Sequence, residues 1–219
     1  MPPRFRTGSE GLTAAPLEDA VGSFAVPAGP GVPRGLAAGQ VADLLAAVRA
    51  GRNGIRNEPI LVLMLRLALR AGEIAALQLD DLDWRCGVVA VRGKGGRVDE
   101  LPIPVDVGTA LVSYLRGGRP AGTGHRQVFL SVKAPHGPMS ATTVGSVAAT
   151  ALRRSGVAHG GGHRLRHTAA GGVLAAGGGL AEVGQLLRHS DPQVTALYAR
   201  ADLDALRTLA RPWPGRVPA

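Results

Sequence analysis

Residues 60–65 (ILVLML) form the longest uninterrupted apolar run in this 219-residue chain, and Arg66 ends it. A bilayer-spanning helix needs about 20 apolar residues, so the run is suited to burial in protein and not in lipid. Apolar positions continue at helical spacing beyond Arg66, and the pattern over residues 58–77 predicts one long, mostly buried helix. Other elements must cover such a helix. A chain of this length has room for one core of that kind but not for two average domains.

Residues 1–33 do not supply the cover. They hold six of the 16 prolines and five glycines, show no helical or strand period, and read as a flexible arm. From Gly35 the pattern changes, and AAGQVADLLAAVRA repeats apolar positions at helical spacing. Residues 78–84 read as a polar bend. CGVVAVR (86–92), GKGG (93–96) and DELPIP (99–104) then read as strand, turn and returning strand, with Lys94 at the tip. Further on, VDVGTALVSYLR predicts a helix, QVFLSV a short strand, and residues 140–154 a helix opened by a Ser140 cap. Glycine clusters at 160–162 and 177–179 divide the remainder into short helices near 163–176, 180–188, 192–200 and 202–210. The fold class is α+β, mainly α-helical, with a small β-hairpin or sheet on one edge.

Composition narrows the function. Lys plus Arg total 25 against 16 Asp plus Glu, a formal charge of +9, which favours acidic or phosphorylated partners. Aromatic residues make up only 3%, so nucleic-acid binding carried by ring stacking is excluded and any DNA contact is mainly electrostatic. The single Cys86 permits neither an internal disulfide nor a cysteine-based zinc set, as expected in a reducing compartment. The opening MPPRFRTGSE is followed by GLTAAPLEDA, with two acids and no continuous apolar stretch, so it does not read as a signal peptide. A cytoplasmic protein with no membrane partner is the expectation.

Several residues invite chemistry. In HRLRH, His163, Arg166 and His167 lie three and four residues apart, so on a helix they share a cationic face beside a glycine-rich start. A guanidinium offers paired N–H donors to two phosphate oxygens, and a helix N-terminus adds backbone donors, which makes this a candidate phosphodiester cradle. A solvated basic face fits the same pattern. A metal site built on His159, His163 and His167 is opposed by the lack of Asp or Glu among them and by Arg164 and Arg166, which would repel a dication. Arg70 falls in LALRAGEIAAL, inside the most apolar helical pattern, where an unpaired charge is costly and Glu73 is the partner at hand. Lys94 at the hairpin tip could reach into a groove or be an ordinary surface lysine. Of the two tyrosines, Tyr114 sits in a helical apolar pattern and reads as core, whereas Tyr198 follows His189 by nine residues near a helix end.

Taken in order, these pieces resemble the catalytic domain of the tyrosine recombinases, the phage-integrase and site-specific recombinase family. Its members show a leading L-T-x-x-Q helix, a G-L-R-x-x-E helix, a G-K-G hairpin, an H-x-L-R-H helix, an L-L-G-H turn and a terminal Tyr. Here stand LAAGQVADLL, LALRAGE, RGKGGRVDELPIP, HRLRH, LLRH and Tyr198. The resemblance implies a catalytic domain over residues 34–215, between the arm and a four-residue tail at 216–219. It implies Arg70 and Arg166 as catalytic arginines, Lys94 as the hairpin lysine, His163 and His189 as active-site histidines, and Tyr198 as nucleophile. Glu73 then orients or neutralises Arg70, and His167 is structural. No cofactor or metal is implied.

The implied reaction is metal- and ATP-independent cleavage and rejoining of double-stranded DNA through a 3′-phosphotyrosyl link, in site-specific recombination or integration of a mobile element. Tetramers on DNA are the family's working state. Residues 201–211 place Leu203, Leu206 and Leu209 on one face, to pack on a neighbouring protomer or in cis. Two positions depart from the pattern: Arg188 and Ala68 stand where the family usually has glycine. The family also carries a helical core-binding domain ahead of the catalytic one, which 33 Pro/Gly-rich residues cannot build. A truncated gene product, a naturally minimal form, one half of a split protein with a separately encoded core-binding domain, and a catalytically inactive DNA-binding or regulatory remnant are the resulting readings.

Overall fold

A computed structural model describes residues 35–157 and 160–188, with the backbone but not the side chain of Lys94. Its helices are α1 (Ala38–Arg49), α2 (Gly54–Arg66), α3 (Ala71–Ala76), α4 (Val105–Gly117), α5 (Ala141–Arg154), α6 (Gly162–Ala175) and α7 (Leu180–Leu187). Strands β1 (Leu82–Asp83), β2 (Val88–Arg92) and β3 (Val98–Pro102) form an antiparallel sheet in the order β1-β2-β3. The fold is mainly helical with a small sheet, as the pattern predicts. The arm, His159, His189, Tyr198 and the two last expected helices lie outside the described residues.

Helix α2 is the centre. Residues Pro59–Leu65 are all buried, and α1, α4, α5 and α6 pack around them. No helix among the described residues is long and apolar enough to cross a membrane.

The single helix expected over residues 58–77 is instead two, because the chain turns after Arg66. Ala68 takes the left-handed conformation, φ 48°, and Arg70 is the extended residue that precedes α3. Leu67, Ala68 and Leu69 are 5%, 0% and 1% exposed. Burial therefore continues straight through the break, and hydrophobic periodicity reports burial, not chain direction. Glu73 starts the new helix by accepting the Arg70 backbone N–H at 2.7 Å, which satisfies one of the donors that every helix start leaves open.

The β2–β3 hairpin follows its alternation. Val89 and Val91 point into the core at 0% and 1% exposure, and Val89 pairs with Leu101 across the ladder. The tip, Lys94–Gly96, is a tight turn closed by Gly93 N–H donating to the Arg97 carbonyl at 2.7 Å, with Gly95 and Gly96 at φ 79° and 80°. Such angles favour glycine. The polar bend at 78–84 contains a short 3₁₀ turn, Leu79–Asp81, and the third strand, β1.

QVFLSV, expected as a strand, makes only isolated bridges, Gln78 with Gln127 and Leu130 with Pro138. Its backbone joins two different neighbours, Leu77 at 2.8 Å and Met139 at 3.0 Å, and both soon turn away, so no ladder extends. Its apolar side chains are still core. Phe129 stacks on Tyr114 at 5.4 Å, and the Tyr114 hydroxyl accepts the Leu130 N–H at 3.1 Å, which places Tyr114 in the packing as expected. The Ser140 cap also forms, its Oγ accepting the Thr143 N–H at 3.2 Å.

A second, smaller apolar cluster joins Ala68 to Ala169, Ala170, Val183 and Leu187. It brings α6 and α7 against the bend after α2, and the charged residues gather there.

Candidate active site

The break after α2 decides where Arg70 points. Its side chain is 43% exposed, not enclosed in an apolar helix as the sequence pattern suggests, because the chain turns outward one residue before α3 begins. The Arg70 guanidinium meets the Glu73 carboxylate at 2.8 Å. Glu73 is 9% exposed and fully engaged: it accepts from the Arg70 backbone at 2.7 Å and from Arg188 Nη2 at 2.6 Å.

Arg166 occupies the opposite condition. It is 6% exposed, on the buried face of α6, and donates to the carbonyls of Ala68 and Leu187. The first is a carbonyl released by the helix break, and the second by the C-terminus of α7. One buried cation thus joins the bend that leads to Arg70 with the turn that leads to residue 189. Burying a guanidinium is costly unless its donors are satisfied, and these carbonyls contribute to that.

Arg188 duplicates the connection. Its φ of 47° makes it, with Ala68, one of two non-glycine residues with positive φ among those described. Its side chain is 5% exposed and donates to the Leu67 carbonyl at 3.2 Å, to Glu73 at 2.6 Å, and approaches Asp99 on β3 at 3.9 Å. In the sequence Arg188 stands out only as a departure from the family pattern. Its bonds to residues 115 and 121 positions away have no local signature.

These groups border a cleft of about 540 Å³ between α3, the hairpin and the end of α7, lined by Arg70, Glu73, Arg92, Arg97, Asp99 and Arg188. Arg188 lies covered at the base of the cleft, and the exposed guanidiniums of Arg70, Arg92 and Arg97 give its open face a cationic character that attracts anions. Gly93 also lines it, which puts the Lys94 backbone at its rim. Arg92 is held by buried Asp81 at 2.7 Å, and Arg97 by Asp99 at 2.6 Å. Sequence reasoning passed over Arg92, Arg97, Asp81 and Asp99; the alternation of the hairpin puts Arg92 on the face opposite Val89 and Val91, the one signal that was available.

Along α6, His163 is exposed in the first turn, and His167 follows one turn later on the same helix. Burial, with the nearby His163 and Arg166 charges, holds the His167 imidazole below its ordinary pKa, so it favours the neutral form. Of the expected site residues, the structure therefore gathers Arg70, Glu73 and the Lys94 backbone at the cleft, and couples Arg166 to it from beneath through Ala68. His189 and Tyr198 lie outside the described residues.

The fold, a helical domain with a small antiparallel sheet, is similar to that of a solved XerA recombinase, with TM-score 0.71 and 24% identity over 84% of this chain and 68% of that one. The chain also matches the phage integrase family over residues 34–204 and belongs to it, as a tyrosine recombinase catalytic domain. The Sinorhizobium fredii protein y4rA, named for the integrase/recombinase class, is 43% identical over 188 residues, 84% of this chain. Tyrosine recombinase XerD of Mycobacterium tuberculosis is 32% identical over 169 residues, 75% of this chain. The chain spans about half of each relative's length, 46% and 53%.

Proposed function

We propose that this chain cleaves and rejoins strands of double-stranded DNA in site-specific recombination or integration, through a 3′-phosphotyrosyl intermediate. The observation that carries the reading is the cleft in which Arg70 stands exposed on a buried carboxylate, with the buried Arg166 tied to the same bend. A phosphodiester presents negative oxygens, and negative charge builds on them when a nucleophile attacks. A site for that reaction needs fixed cations whose positions do not have to reorganise.

In this mechanism the Tyr198 hydroxyl attacks the phosphorus in line, forming a tyrosyl–phosphate bond and breaking the bond to the 5′-oxygen. His163 takes part in removing the phenol proton. Lys94, carried to the rim by the hairpin, returns a proton to the leaving 5′-oxygen. Arg70 faces the non-bridging oxygens from the cleft wall, Arg166 adds its charge from beneath, and His189 adds a donor. The free 5′-hydroxyl of a partner strand then reverses the chemistry, so the bond energy is conserved. His167 is structural and Glu73 holds Arg70. Every group comes from the chain, with no cofactor or metal in the scheme.

We further infer that the working partners are duplex DNA and other recombinase protomers in a tetramer, in the cytoplasm. The test is covalent trapping on a nicked suicide DNA substrate in EDTA. Wild type forms a protein–DNA adduct, Tyr198→Phe forms none, and loss of Arg70 lowers the cleavage rate by about 10²- to 10³-fold. Failure of wild type to trap DNA, with a core-binding partner supplied, leaves the inactive DNA-binding remnant as the correct reading. Inhibition by the chelator would replace it with a metal hydrolase.

A further inference from the structure

Arg188 is the most heavily committed charged residue that the proposed mechanism does not use. A left-handed backbone is unfavourable for any residue with a Cβ, yet the chain places its longest cationic side chain there and buries it to 5%. Something must repay that cost. The contacts show what does. The guanidinium meets Glu73 of α3, Asp99 of β3 and the Leu67 carbonyl of the bend, while its own backbone ends α7.

Those elements are the ones that carry the proposed reacting groups. Glu73 divides its carboxylate, with Oε1 on the Arg70 guanidinium and Oε2 shared between the Arg70 backbone N–H and Arg188. Arg188 therefore restrains the rotation of the carboxylate that aims Arg70. Asp99 lies on the strand that returns from the Lys94 tip, and the residue after Arg188 is His189.

We propose that Arg188 is a positioning residue, which locks the Arg70–Glu73 corner, the Lys94 hairpin and the turn leading to His189 in one register for the reaction. The proposal rests on the recombinase reading above. It concerns rate and not affinity, because Arg188 is covered and acts through Glu73 and Asp99.

The test uses the full chain and two variants that remove the guanidinium in different ways. Arg188→Met keeps the apolar stem, and Arg188→Gly relieves the left-handed backbone, so the second folds even where the first does not. With nicked DNA at saturation, single-turnover cleavage falls about tenfold or more in both, because small misplacements of catalytic groups are amplified in rate. The half-saturating DNA concentration stays within about twofold of wild type. Arg188→Lys, which keeps a cation against Glu73, recovers the rate to within about threefold. In nitrogen-15 spectra of the DNA-free protein, the Arg70 Nε–H signal moves in both variants. That of Arg119, anchored on the carbonyls of His125, Gln127 and Val128, does not.

Cleavage by the variants within twofold of wild type, or a loss confined to half-saturation, overturns the proposal. Should wild type itself trap no DNA, the recombinase reading fails separately and the spectra decide: a stationary Arg70 signal overturns the lock, and a shifted one sustains it.

Discussion

Ala68 shows how much a single backbone conformation governs here. Its left-handed φ turns the chain from α2 toward Arg70, its carbonyl accepts from Arg166, and its methyl packs at 0% exposure with Ala169, Ala170, Val183 and Leu187. A larger β-branched side chain meets both a steric penalty at positive φ and a filled cluster. Ala68→Val is expected to lower stability by about 3 kcal/mol in urea unfolding. Ala68→Gly trades backbone relief against a lost methyl contact and stays within about 1 kcal/mol of wild type. Equal midpoints for wild type and the valine variant would show that the bend carries no such constraint. The leucine neighbours of Ala68 do not mark this residue as a turn, since all three are buried; the one signal is that it stands where the family pattern has glycine.

At the scale of elements, α6 couples burial to protonation. His167 has an unfolded pKa near 6.5 and a lower folded one. Between the two values the unfolded chain binds more protons, so this residue's contribution to stability is complete above 6.5 and is lost as pH falls toward the folded value. A urea midpoint that holds from pH 7.5 to about 6.5 and drops on acidification below 6.5, with a shallower drop in His167→Gln, is the expected result. Parallel profiles for the two proteins would assign the acid sensitivity elsewhere. The elements themselves differ in how far they were legible. The hairpin and the Ser140-capped α5 follow local rules, namely alternation about a glycine turn and a side-chain cap, and both form as read. The split of the helix over 58–77 and the reduction of QVFLSV to two bridges follow from neighbours far along the chain, which periodicity does not register.

For the whole molecule, charge is the governing quantity. A formal charge of +9 and an arginine-lined cleft predict DNA binding that weakens steeply with salt, each phosphate neutralised contributing about −0.9 to the slope of log affinity against log salt. A titration from 50 to 200 mM salt measures this, and a flat response would remove DNA as the partner. The order of the charged residues, the alternation of the hairpin and the helical spacing of the core are local properties. The amino-acid sequence alone determined them, and with them the family. Glu73 was legible as the partner of Arg70, three residues away, but which acceptors the buried Arg166 and Arg188 take was decided only by the tertiary structure. Arg166 lies 98 residues from Ala68, and Arg188 lies 115 from Glu73. The carbonyls they take exist as open acceptors only where helices end in the folded chain. A buried cation settles wherever such acceptors converge, and that convergence is a property of packing that no local pattern contains.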